Sequence, residues 1–116
     1  NEAKLAYKKI RSISKLRKKG QEAMASNDFR GAEAAFLQAA QIDPSLTDIN
    51  IPFIHELCLL QLRIGKASEA LDSCQGAFHL NPQLIDCAVN KVKALIKLER
   101  FDEAVQFGRT LAQQHR

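Results

Sequence analysis

Apolar residues recur along this chain at three- and four-residue steps. Leu16, Gly20, Ala23 and Met24 form one such stripe, Ile54, Leu57 and Leu60 a second, and Ala88, Val92 and Leu95 a third. That period marks the buried side of an α-helix. Turn residues divide the stripes. Asn27-Asp28 and Pro82 supply start signals, and Gly65 stands where a helix C-terminus needs positive φ. Pro44 and Pro82 each follow a helical stretch they cannot continue. The pattern predicts helices over residues 2–26, 28–42, 51–64, 67–80, 83–98 and 101–114. Pro52 is expected to be tolerated in the first turn of the third. The first helix has no glycine or proline before Gly20. It is read as continuous, with a break near Ser12 as the alternative.

The helices come in repeating pairs. Asp28-Phe29-Arg30-Gly31-Ala32, Lys66-Ala67-Ser68-Glu69-Ala70 and Arg100-Phe101-Asp102-Glu103-Ala104 superimpose, with their alanines 38 and then 34 residues apart. Other columns follow the same register. The first helix of each pair offers Gly20, Cys58 and the larger Val92 at the crossing. The second offers Phe36, Cys74 and Gly108, then Ala39, Ala77 and Leu111. The closing prolines are Pro44 and Pro82, and in the third copy that column falls on Arg116.

A period of 34 with these columns resembles the tetratricopeptide repeat (TPR), a helix–turn–helix unit that stacks into an α-solenoid. The resemblance covers residues 13–116. It implies an all-α solenoid of three repeats at 13–46, 51–84 and 85–116. Residues 1–12 are a basic extension of the first helix. A four-residue insertion, 47–50, lengthens the connection or adds a turn to the next helix. Repeat 3 is expected to be uncapped. The chain starts and stops inside predicted helices, as a segment of a larger protein would.

Composition agrees. The 116 residues hold no Trp and only three prolines and five glycines, which favours helices over strands. No stretch is apolar enough for a membrane span, and no signal peptide is visible. Three cysteines without CxxC spacing are read as small buried thiols in a reducing compartment, the cytoplasm or the nucleus.

Charge is asymmetric. Residues 1–19 carry eight Lys/Arg against one acid, and the remainder nine against twelve. Lys4, Lys8, Arg11, Lys15 and Lys18 form a stripe on one face of the first helix, opposite Ala6, Ile13 and Gly20. Such a stripe suits phosphates or an acidic partner, or is simply solvated. No aromatics alternate with the lysines to stack on bases, so nucleic acid is disfavoured.

TPR domains take extended peptides along the first helices of their repeats. The resemblance places Ser14, Arg17, Gln21 and Met24 in that groove, then His55, Glu56, Leu59, Leu62 and Arg63, then Asp86, Val89, Asn90, Lys93 and Lys97. Many chaperone-cofactor TPR domains grip a partner's C-terminal carboxylate with Lys, Asn, Asn, Lys and Arg. Those columns hold Arg17, Gln21, Glu56, Asp86 and Asn90 here. Arg17 and Gln21 are serviceable replacements. Glu56 and Asp86 oppose an anion and Asn90 lacks the cation, so the clamp is expected to be lost.

The insertion, the basic run before Gly20 and Glu69-Ala70-Leu71-Asp72-Ser73-Cys74 resemble the later TPR block of J-domain co-chaperones. In those proteins the repeats hold heat-shock chaperones. The chain has no His-Pro-Asp tripeptide, so no J-domain activity resides in it. The resemblance implies a non-catalytic protein-binding scaffold without cofactor. Its partner would be a protein or extended peptide, a heat-shock chaperone among them. The alternatives are self-association through the repeat 3 end, where Val105 and Leu111 would be exposed, and binding of nucleic acid or an acidic partner by the basic helix. His55 and Cys58 share a helix face, but no third residue orients the histidine. Neither catalysis nor a metal site with His79 or Cys87 is expected.

Overall fold

The computed structural model describes residues 1–114; Arg116, where the third proline column falls, lies outside them. Six helices follow in order: α1 (Glu2–Ala25), α2 (Phe29–Ile42), α3 (Thr47–Arg63), α4 (Ala67–Leu80), α5 (Ile85–Lys97) and α6 (Phe101–Gln114). There is no strand among the described residues. α1 is unbroken through Ser12, so the extension and the first repeat helix are one element.

The chain forms two compact units, Asn1–Leu57 and Cys58–Arg116. In the first, α1 packs on α2. Its core holds Ile13, Ala32, Ala35, Phe36, Ala39, Ile51, Phe53 and Leu57. Gly20 is buried because Phe36 lies over it. A Cβ there would sit 2.6 Å from Cε1 of that ring, too close for any side chain. In the second unit, α5 packs on both α4 and α6. Cys58, Leu62, Ala70, Leu71, Cys74, Ala94, Leu95 and Ala104 form its core, with Val92 and Leu98 against it. The alanine column Ala32, Ala70 and Ala104 is buried in all three copies.

Of the two readings of residues 47–50 the structure takes the added turn, and two corrections concern the connections. Thr47–Asn50 are helical, so the insertion adds a turn to α3. Pro52 therefore lies inside the helix, not in its first turn. Its missing N–H leaves the Asp48 carbonyl without the usual i−4 donor. α5 begins at Ile85 rather than 83, because the Asn81 side chain accepts from the Gln83 amide (3.1 Å) and holds Pro82–Leu84 in a turn. Asp43, in the same column one repeat earlier, likewise accepts from the Ser45 amide (3.1 Å). The insertion also has an anchor in Asn50, which is buried and donates to the Asp43 carbonyl (2.9 Å).

The turns inside the helix pairs share one geometry. Asn27, Gly65 and Glu99 have φ of 63°, 84° and 60°. The following amides, of Asp28, Lys66 and Arg100, donate to the carbonyls of Ala23, Gln61 and Leu95 at 2.8–2.9 Å. That i−5 bond satisfies a helix-end carbonyl and needs a left-handed residue before it. Glycine takes the position freely. Glu99 does so at a cost on the order of 1 kcal/mol, which is why its sequence carried no turn signal.

The cysteine expectation is corrected outright for two of the three. Cys58 of α3 and Cys74 of α4 form a disulfide, while Cys87 is free and buried. The two Cα atoms are 5.5 Å apart, inside the range a disulfide can span. The Cys58 sulfur also lies 3.3 Å from the Ala70 carbonyl oxygen, so a reduced thiol would have an acceptor in place. Closing a loop with a sequence separation of 16 contributes roughly 2–3 kcal/mol in the chain-entropy account. The Cys58→Ala/Cys74→Ala protein should therefore melt about 10 °C or more below wild type. Dithiothreitol should lower the wild-type Tm and leave the variant's unchanged. Equal melting of both proteins, with three titratable thiols in oxidised wild type, would show that the bond does not form.

Candidate functional site

The sequence places the binding surface on the first helices of the repeats, α1, α3 and α5. In the first unit this surface is built by α1 and the part of α3 that ends at Leu57. Arg17, half-buried on α1, donates through Nη2 to Oε1 of Glu56 on α3 at 3.0 Å. The side chains remain 38% and 35% exposed, so solvent screens the pair and its net worth is small. Arg17 Nε and Glu56 Oε2 are enclosed without a hydrogen-bond partner, which subtracts from it further. Gln21 is exposed beside it, while Met24 and His55 are half-buried.

In the second unit, Leu59 and Arg63 of α3 are exposed, but Leu62 belongs to the core at 8% exposure. Leu62 therefore packs inward and is not free to line a groove. On α5, Asp86, Val89, Lys93 and Lys97 fall at three- and four-residue steps and are all exposed. Asn90 is 5% exposed and sits on the inner side of the helix. Two apolar residues that sequence reasoning missed flank this face, Ile85 and Ile96, at 37% and 48% exposure. Their signal was available in the helical period, since both fall on the same side of α5 as Val89.

Of the five clamp columns, the structure thus joins Arg17 to Glu56, exposes Gln21 and Asp86, and buries Asn90. The His55 and Cys58 pair offers no thiolate, because Cys58 is bonded to Cys74. Among the described residues no group of three or more His, Cys, Asp or Glu could hold a metal ion. No helix is long and apolar enough to cross a membrane, again among the described residues.

Elsewhere in the second unit, Phe78 and Phe107 meet edge to face at 5.7 Å, and the Lys91 ammonium lies 4.0 Å over the Phe107 ring. Burial there pulls the Lys91 pKa down from its ordinary value, against the pull of Glu103. On the connection after α2, the Asp43 carboxylate is held below its ordinary range by hydrogen bonds from Ser45 and then from Lys9. Both features serve packing and turn geometry.

The structure resembles known helical repeats. It superimposes on a tetratricopeptide repeat protein from Parabacteroides merdae with a TM-score of 0.81 at 24% identity, covering 90% of this chain and 40% of that one. The Arabidopsis OM64 TPR domain gives a TM-score of 0.73 at 16% identity, over 91% and 87% of the two chains. No family model matches. In sequence, the chain is 26% identical over 106 residues to the DnaJ homolog subfamily C member 7 homolog of Dictyostelium discoideum, covering 91% of this chain and 20% of that protein. It is 26% identical over 113 residues to the DnaJ protein P58IPK homolog A of Oryza sativa subsp. japonica, covering 97% and 24%. The chain spans about a fifth to a quarter of the length of these curated relatives. Its fold is the all-α solenoid of tetratricopeptide-repeat proteins.

A double-mutant cycle over Arg17→Met and Glu56→Gln should return a coupling of about 0.2–1 kcal/mol in urea unfolding, the range of half-exposed pairs. It should shrink at high salt. A coupling several times larger would mean the pair is a buried structural bridge.

Proposed function

We propose that this chain is a non-catalytic, protein-binding TPR segment that takes a partner along the exposed faces of its first helices without gripping a terminal carboxylate. One observation carries the reading: the sole cation in the clamp columns, Arg17, is already bonded to the carboxylate of Glu56. An incoming carboxylate would have to displace an intramolecular one. In the second unit the clamp columns hold the exposed acid Asp86 and the buried Asn90, neither of them a cation. What α5 offers instead is apolar contact from Ile85, Val89 and Ile96 beside the cations Lys93 and Lys97. That combination suits an extended peptide with apolar side chains and scattered acids.

The similarity to DnaJ subfamily C proteins supports a place in a chaperone cofactor. The chain would then present a client or a chaperone surface to the rest of a longer protein. The Cys58–Cys74 bond favours an oxidising compartment over the cytoplasm or nucleus, where thiols are kept reduced.

Isothermal titration with acidic C-terminal peptides, each as free acid and as amide, tests the clamp reading. Wild type should not distinguish the two forms. Glu56→Asn/Asp86→Lys should gain a preference for the free acid of about tenfold or more, since two repulsive charges are removed and a cation is added. Wild-type binding tighter than about 100 µM (roughly −5.5 kcal/mol), lost on amidation and in Arg17→Ala, would overturn the reading.

A second reading, self-association, is favoured by α6, where Phe101 and Val105 are 55% and 59% exposed; Leu111 is half-buried. Exposed repeat faces tend to pair. Sedimentation should show a mass that rises with concentration and a Val105→Lys variant that stays monomeric. A constant monomer mass in wild type would remove this reading.

A further inference from the structure

The groove reading leaves the far side of α1 unused. At about 100° per residue, Lys4, Lys8, Arg11, Lys15, Lys18 and Lys19 share the face opposite Ile13 and Gly20. All six are exposed, whereas Ile13 and Gly20 are buried. The ion pairs that α1 makes among the described residues, Lys9 with Asp43 and Arg17 with Glu56, both lie on its packed side. Among the described residues no acid forms an ion pair with any of the six. Between them runs a shallow depression of about 450 Å³, lined by Lys4, Tyr7, Lys8, Arg11, Ser12 and Lys15. Like charges three and four residues apart on a helix repel one another, so the face is electrostatically unsatisfied in the isolated chain.

The spacing narrows the partner. Lys4, Lys8, Arg11, Lys15 and Lys18 advance by four, three, four and three residues, a straight row about 21 Å long at 1.5 Å per residue. That is the repeat of a helix seam. An acidic helix with Asp or Glu at the same steps meets every cation in register. A nucleic-acid duplex winds away from a straight row within a few phosphates. Tyr7 is the one aromatic side chain on α1, too few for a stacking platform. We propose that this face docks an α-helical segment of a partner protein whose carboxylates alternate at three- and four-residue steps. The surface is distinct from the groove on the first helices, so the two bind independently.

The test uses fluorescence anisotropy on the intact chain. One probe is an Ala-rich helical peptide of about 20 residues with five Glu at those steps. The second has the same composition with the Glu distributed around the helix, and the third is a single-stranded RNA. The in-register peptide should bind at least about tenfold tighter than the distributed one, because only it pairs every cation. Its affinity should fall about tenfold or more between roughly 50 and roughly 200 mM salt, because the contacts are exposed. Lys8→Ala/Arg11→Ala/Lys15→Ala should lose that binding while keeping its helical circular dichroism, alanine being the best helix former. Glu56→Asn/Asp86→Lys should leave it unchanged. Absence of binding at low salt, equal affinity for the two peptides, tighter binding of RNA, or indifference to the triple substitution would each overturn the proposal.

Discussion

Each helix pair depends on what stands where its two helices cross. In the first copy Gly20 gives way and the Phe36 ring fills the space, leaving no room for a Cβ. In the second, two cysteines meet at a Cα separation of 5.5 Å and are bonded. In the third the sizes reverse, with Val92 partly buried against the core and Gly108 opposite in sequence register. A Cβ at Gly108 would meet nothing within 4 Å. The constraint is one of summed volume, because helices approach only as closely as their paired side chains allow. Phe against Gly and Cys against Cys are two ways to meet it, and the third copy, with open space beside Gly108, stays well inside it. The third is the loosest, consistent with Ala104 being less completely buried than Ala32 and Ala70.

The connections are as repetitive as the crossings. A left-handed residue followed by an i−5 hydrogen bond closes the first helix of every pair. A side-chain acceptor, Asp43 or Asn81, shapes the link to the next pair. Both satisfy backbone groups that a helix end leaves open. The insertion between the first two repeats is absorbed by a longer α3 whose start is tied down by Asn50. It costs the helix one bond at Pro52 and leaves the later register intact.

Charge separates the two faces of α1 by what answers them. On the packed side, Arg17 and Lys9 find carboxylates within the chain. On the outer side, six cations find none among the described residues. An internal pair removes a cation from the ligands it would otherwise attract, and an unanswered row advertises for one.

Much of this was legible in the amino-acid order. Helix existence, the 38- and 34-residue register and the buried alanine column follow from local periodicity. So do the sidedness of Lys4, Lys8, Arg11, Lys15 and Lys18 and the exposure of Val89, Lys93 and Lys97. Periodicity depends only on neighbours a few residues away. What it could not supply were pairings between residues far apart in the chain. The sequence placed Cys58 and Cys74 in two small-residue columns, but only the packing of α3 on α4 brought their sulfurs together. It put Arg17 and Glu56 in separate clamp columns, and only the first unit's fold joined them. Leu62 and Asn90 read as groove residues until packing turned them inward. Glu99 held a glycine's place with no turn residue to announce it, because a helix-end hydrogen bond outweighed local preference.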